Sequence, residues 1–115
     1  MQVPEIKSLL DEELLIIIKS RTLSGQGIYG LEILNEVNKH RKRGNWFKKL
    51  SFATLYPALD RLEKKGLVKW RWGDDDEKTG GGRRKYYYLS SLGKELLYRR
   101  REYLLGLELD FAGEA

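Results

Sequence analysis

Apolar residues in this chain recur first at helical spacing, then at alternating spacing, then at helical spacing again. Residues 9–23 place Leu14, Leu15, Ile16, Ile17 and Ile18 in a row behind Asp11, Glu12 and Glu13. The β-branched run suits a strand, but its length and the acidic lead-in, favourable at the positive end of a helix, favour a helix. A helix apolar almost all round is buried on more than one side, so part of it is expected to meet a second subunit. Residues 24–27 read as a loop. Residues 28–40 form a second amphipathic pattern, with Ile28, Leu31, Ile33, Leu34 and Val37 apolar, and Gly30 inside it marks close approach of another helix. Residues 41–50 read as a basic loop whose Trp46 and Phe47 suit anchoring on the core better than stacking on bases.

The stretch SFATLYPALDRLEKKGLV, residues 51–68, is the most ordered in pattern. Leu55, Ala58, Leu59 and Leu62 make one apolar stripe, and Lys64, Lys65 and Gly66 supply a stop, since cations suit the carbonyl end and glycine accepts the left-handed turn that closes it. The start has two solutions. Ser51 is a good N-cap, but Pro57 then opposes the carbonyl of Ala53 and bends the helix; a start at Thr54 puts Pro57 in the tolerant first turn. In both, Ser51, Phe52, Ala53, Thr54 and Tyr56 lie near an exposed amino end, where backbone donors welcome anions.

After Gly66 the period changes to two. Val68, Trp70 and Trp72 alternate with Lys69 and Arg71, and in residues 83–89 Lys85, Tyr87 and Leu89 share one face and Arg84, Tyr86 and Tyr88 the other. GDDDEKTGGG between them is turn material, so the pair predicts a hairpin with a flexible tip. Ser90 or Ser91 then caps a last helix running to about Phe111, whose Leu97, Leu104 and Phe111 fall seven apart. A small domain does not easily cover that apolar set, and pairing with a second copy would bury it: Leu14, Ile17, Ile18, Leu97, Tyr103, Leu104, Leu107 and Phe111 are the expected dimer contacts.

Composition narrows the chemistry. The chain has 115 residues, enough for one core, and no cysteine, so neither a disulfide framework nor a thiolate metal site is possible. The single histidine, His40, sits among cations, which argues against a His-rich metal site or a triad. No glycine-rich phosphate loop lies between a strand and a helix, and Asp74, Asp75 and Asp76 lack the spacing of a calcium loop. No enzyme, cofactor or metal is therefore expected. No apolar run reaches membrane-spanning length and no signal-peptide pattern opens the chain, so a cytoplasmic protein is expected. Lysine and arginine number 22 against 17 for aspartate and glutamate, a net +5, and the distribution matters more than the sum. Residues 37–59 contain no acid but hold Lys39, Arg41, Lys42, Arg43, Lys48 and Lys49, the footprint expected for a phosphate backbone beside the exposed helix start. On the hairpin, Lys78, Arg83, Arg84 and Lys85 are the matching candidates, whereas the acids at 74–77 would be repelled by phosphate.

Helix, helix, loop, helix, hairpin, helix is the order of a winged helix-turn-helix, in which the third helix enters the major groove and the hairpin reaches the backbone or minor groove. The expected fold is thus mainly α with a small β-hairpin: a DNA-binding winged helix over residues 1–90 and a long dimerisation helix over 91–115. Base choice would fall to the Ser51 and Thr54 hydroxyls, Tyr56, and Arg61 toward guanine. The segments YGLEI at 29–33, TLYPALDRLEKKGLV at 54–68 and GGRRKYYYLSSLG at 81–93, in this order and spacing, make the chain resemble the PadR-like family of winged-helix transcriptional regulators, in its small subgroup with one carboxy-terminal helix. The resemblance implies a homodimer held by the first and last helices, a two-fold double-stranded DNA operator and, in most members, repression. It implies DNA contact by Ser51, Thr54, Tyr56, Pro57 and Arg61 and by Arg83, Arg84 and Lys85. Some members of that subgroup bind planar aromatic effectors with aromatic side chains of the last helix; here that helix has Tyr98 and Tyr103 and no tryptophan, and no effector is specified. KKLSFATLYPALDRLEKKG is also similar to cyanobacterial members that act on the circadian clock, which implies a clock gene as target. The competing class is a protein-interaction module that uses the winged-helix scaffold without DNA and docks through its last helix.

Overall fold

A computed structural model of the chain describes residues 5–45, 48–73 and 83–112. The expected contributions of Trp46, Phe47, Lys78 and the acids at 74–77 lie outside the described residues.

The first helix, α1 (Leu9–Thr22), is opened by Ser8, whose Oγ accepts the Asp11 amide N–H at 3.1 Å. Its Leu14, Leu15 and Ile18 are fully enclosed and make the centre of the core. The second helix differs from expectation at both ends. Ile28 and Tyr29 are not helical; they form a short strand, β1 (Ile28–Tyr29), opposite Tyr87 and Tyr86. Gly27 permits this approach: its φ is +74°, and a Cβ there would lie 3.1 Å from both Tyr86 Cβ and the Tyr87 carbonyl oxygen. Gly30 therefore starts α2 (Gly30–Gly44) instead of sitting inside it. The same helix runs on through Arg41 to Gly44, where a loop was expected, because Asn45 closes it in the left-handed conformation with its N–H donating to the Arg41 carbonyl at 2.9 Å.

The third helix, α3 (Phe52–Lys64), takes Ser51 as its N-cap, which decides between the two starts: Pro57 lies within the helix. Leu55, Ala58, Leu59 and Leu62 are buried as one stripe. At its end the Gly66 N–H donates to the Glu63 carbonyl at 2.8 Å and the Leu67 N–H to that of Leu62 at 3.0 Å, with Gly66 at φ +76°. This is a Schellman closure, and its usual apolar contact is supplied by Leu62 and Leu67, both buried.

Two strands follow, β2 (Val68–Trp72) and β3 (Lys85–Leu89), paired antiparallel from Val68 opposite Leu89 to Trp72 opposite Lys85. With β1 on the far side of β3, the expected two-stranded hairpin is a three-stranded sheet of order β1-β3-β2. Tyr87 and Leu89 face the core. The final helix, α4 (Ser91–Phe111), is capped by Ser90, whose Oγ accepts the Gly93 N–H at 3.0 Å and donates to the Gly66 carbonyl at 2.5 Å. The backbone of Gly93 rests against the Leu67 carbonyl so closely that a Cβ has no place.

Three consecutive carboxylates of α1 each hold a different helix. Asp11 meets Arg61 of α3 at 2.6 Å, Glu12 meets Arg100 of α4 at 2.9 Å, and Glu13 takes a two-pronged bond from Arg41 of α2 at 3.0 and 2.7 Å. Successive helix positions point about 100° apart, so one turn of α1 serves all three partners.

Beyond Leu97 no described residue of α4 is buried, and the radius of gyration, 16.1 Å, exceeds the roughly 13 Å of a compact chain of this length. α4 thus projects from the body. Of the expected dimer contacts, Leu14, Ile18 and Leu97 are at most 1% exposed within the single chain, so they are core residues, not contact residues. Ile17 is half-buried, and Tyr103, Leu104, Leu107 and Phe111 are exposed.

Candidate nucleic-acid interface

Among the described residues, none covers the first two turns of α3 on their outer side. Phe52, Ala53, Thr54, Tyr56 and Pro57 are all exposed, while Leu55 and Ala58 between them anchor the helix. The Ser51 hydroxyl does not cap the helix; it donates to Thr54 Oγ1 at 3.3 Å. The rings of Phe52 and Tyr56, one helical turn apart, stack with centroids 5.6 Å apart and planes 14° from parallel. Tyr56 also leans on Gly30 at the start of α2, so tightly that any Cβ at position 30 would collide with the ring. The close approach expected at Gly30 is therefore real, and its cause is a side chain of α3.

The base of the hairpin meets the same place from the other side. The Arg84 guanidinium lies over the Tyr29 ring at 4.5 Å, Tyr29 packs edge-on to Tyr86 at 5.6 Å, and Arg71 covers Tyr86 at 5.2 Å. Arg71 also donates to the Gln26 carbonyl at 2.8 Å. Lys85 Nζ sits 4.1 Å from the centre of the Trp70 ring. Arg83, Arg84 and Lys85 are exposed, and the rings beneath Arg84 and Lys85 fix where those two charges stand. Tyr56, Gly30, Tyr29 and Arg84 form one chain of contacts, with Gly30 buried within it, joining α3 to the hairpin through the start of α2.

The basic run of residues 37–59 divides. Lys39, Lys42 and Lys49 rim an open groove of about 630 Å³ floored by Leu34, Asn35 and Asn38, and Asn38 holds the approach to α3 by exchanging two hydrogen bonds with the Leu50 backbone at 2.7 and 3.0 Å. Lys48 and Lys49 are exposed just ahead of Ser51. Arg41 has a structural role: it is tied to Glu13 and donates to the Lys48 carbonyl at 2.8 Å, and the Glu13 hydrogen bonds, outweighing the opposing effect of burial, push its guanidinium above the usual value. Arg61 is likewise engaged. Its guanidinium donates from Nη2 to Asp11, a carboxylate only 1% exposed, with Lys65 at 4.0 Å as a second cation, so Arg61 clamps α1 to α3 while its side chain stays 46% exposed. Phe52 and Tyr29 are absent from the expected contact residues. The signal for Phe52 was its place at the exposed helix start; Tyr29 becomes visible only once β1 and α2 are separated.

Comparison with known proteins identifies the family and the fold. Residues 21–99 match the model of the family described as "Transcriptional regulator PadR-like family". No curated protein matches the chain. Among solved structures, a PadR family transcription regulator from hypervirulent Clostridium difficile is 31% identical, with 89% of this chain and 95% of that one covered, at a TM-score of 0.58. A PadR-like transcriptional regulator from Bacillus cereus is 25% identical over 91% and 89% of the two chains, at 0.66. A PadR-like transcription factor from Bacteroides fragilis is 22% identical over 93% and 90%, at 0.71, a likeness of fold. Members of this family are regulators and not enzymes. With its four helices, three-stranded sheet and matched span, this chain belongs to the PadR-like family of transcriptional regulators.

Proposed function

We propose that the chain is a dimeric, sequence-specific DNA-binding repressor of the cytoplasm that seats α3 in the major groove and its hairpin on the flanking backbone. The observation that carries this is the chain of contacts from Tyr56 through Gly30 and Tyr29 to Arg84, which links the exposed helix start to a hairpin cation. Lys48 and Lys49 supply further charge there. Double-stranded DNA meets both needs, a phosphate array for the cations and base edges for the uncharged helix start. The exposed apolar side chains of α4, with Ile16 of α1 and Leu23 just after it, would pair two copies over a two-fold operator. No described helix is long and apolar enough to cross a membrane. A clock gene as the regulated target rests on the KKLSFATLYPALDRLEKKG stretch alone; mapping bound sites across the genome tests it.

Fluorescence anisotropy with specific and scrambled duplexes, over a series of salt concentrations, checks the division of labour. Arg84→Glu is expected to weaken binding to every duplex alike and to flatten the salt dependence by about one counterion, whereas Thr54→Ala lowers preference for the operator. Equal, salt-insensitive binding by all variants would remove the hairpin from the interface. A monomer that ignores DNA on gel filtration would favour a protein-interaction module.

A further inference from the structure

The first two turns of α3 restrict what they are able to read. Their exposed positions, Phe52, Ala53, Thr54, Tyr56 and Pro57, include no charged or amide side chain. The paired contacts by which arginine recognises guanine and asparagine or glutamine recognises adenine therefore cannot arise there. Arg61, about one turn beyond Pro57, is held by Asp11 at 2.6 Å. What remains is a set of hydroxyls, two of them already bonded to each other at 3.3 Å, and apolar surface. The Phe52 and Tyr56 rings are 41% and 49% exposed, yet they are not loose: they stack on one another, and Tyr56 is seated against Gly30. A buttressed aromatic pair facing water, immediately after Lys48 and Lys49, calls for a partner that combines negative charge with a small apolar group. In the major groove the apolar group is the thymine 5-methyl.

We propose that Phe52, held in place by Tyr56 and flanked by Ala53, selects thymine through its 5-methyl group, so that A·T pairs are what α3 recognises in the operator. The proposal rests on the DNA-binding function above, and its test separates the two. A duplex is first recovered by selection from a random library with the full-length protein, and each thymine is then replaced singly by deoxyuridine, which deletes the methyl and leaves every hydrogen-bonding edge intact.

One or two such replacements per half-site are expected to lower affinity about threefold to tenfold, as for loss of one buried methyl. In Phe52→Ala the same duplexes should bind alike with thymine or uracil, with the oligomeric state unchanged; Phe52→Leu should retain part of the discrimination. Undiminished binding to all uracil duplexes overturns the thymine assignment while leaving the DNA-binding regulator in place. A uracil penalty that persists in Phe52→Ala overturns the role of Phe52, as does loss of dimers in that variant with the penalty intact. Recovery of no preferred duplex overturns sequence-specific binding itself, and the thymine proposal with it.

Discussion

Gly66 and Gly106 show how differently one residue type serves this chain. Gly66 holds φ at +76° with open space around it, so a methyl group meets no neighbour and the only obstacle is the backbone conformation. Gly106 lies inside α4, also with nothing within 4 Å of a would-be Cβ, but with ordinary helical backbone. Gly66→Ala is expected to destabilise the fold by about 1 kcal/mol, and Gly106→Ala to stabilise it by about 0.5–1 kcal/mol, measured by urea unfolding. Tyr87 gives a pH-dependent counterpart. Burial raises its phenol above the ordinary value, and the nearby Tyr56, Glu63 and Asp60 add to the effect. A raised folded-state pKa means that the stabilisation is complete below the unfolded value of about 10 and is lost as pH climbs through the folded one. Tyr87→Phe should therefore lose less stability than the parent between about pH 9 and pH 11, read as the shift of the urea midpoint between those two conditions.

At the scale of elements, the acid triplet of α1 decides how the helices are held, and its members are not equivalent. Asp11 is 1% exposed whereas the Arg61 side chain is 46% exposed. Removing Arg61 leaves a buried carboxylate with Lys65 as its remaining cation; removing Asp11 leaves an arginine free to turn toward water. Arg61→Ala should cost about 2 kcal/mol and Asp11→Ala less than about 1 kcal/mol, with the double variant more stable than Arg61→Ala alone; thermal unfolding of the three variants measures this asymmetry. Operator preference should stay as it is in Arg61→Ala.

The same contrast explains what was legible in the sequence. The stripe of α3, its glycine stop, the alternation of β2 and the span of α4 each lie in one contiguous run, and periodicity suffices to find them. Strand β1 is two residues long, too short for a period, and its pairing with Tyr86 and Tyr87 depends on Gly27 far from them in sequence. The clamp made by Arg61 was hidden because nothing local reveals that Asp11, fifty positions earlier, is buried against it. Leu14, Ile18 and Leu97 looked like interface for a related reason. An apolar helical face announces burial but not whether its own chain or another supplies the cover.

For the whole molecule, cover is what α4 lacks. Tyr98, Tyr103, Leu105, Leu109 and Phe111 are each at least half exposed, more apolar surface than a lone small domain ordinarily presents. Replacing Leu104 and Leu107 together by aspartate is expected to leave the winged-helix body folded, since both lie beyond the last buried residue of α4, and to convert the proposed dimer to a monomer in sedimentation equilibrium. The same variant should bind a full operator no better than a half-site, because the gain from two linked contacts disappears.

The root of α4 has a mechanical meaning. Ser90 bonds to the Gly66 carbonyl and Gly93 is wedged on Leu67, the two residues that close α3, so α4 is a lever about 30 Å long fixed at the end of α3. In a dimer joined along that lever, tilting it by about 5° moves its far end roughly 3 Å, close to the rise of one base pair. In the proposed dimer, a change in the angle between paired levers would retune the distance between the two copies of α3, so the separation of the operator's halves would depend on the Ser90 and Gly93 anchors as well as on the residues that touch DNA.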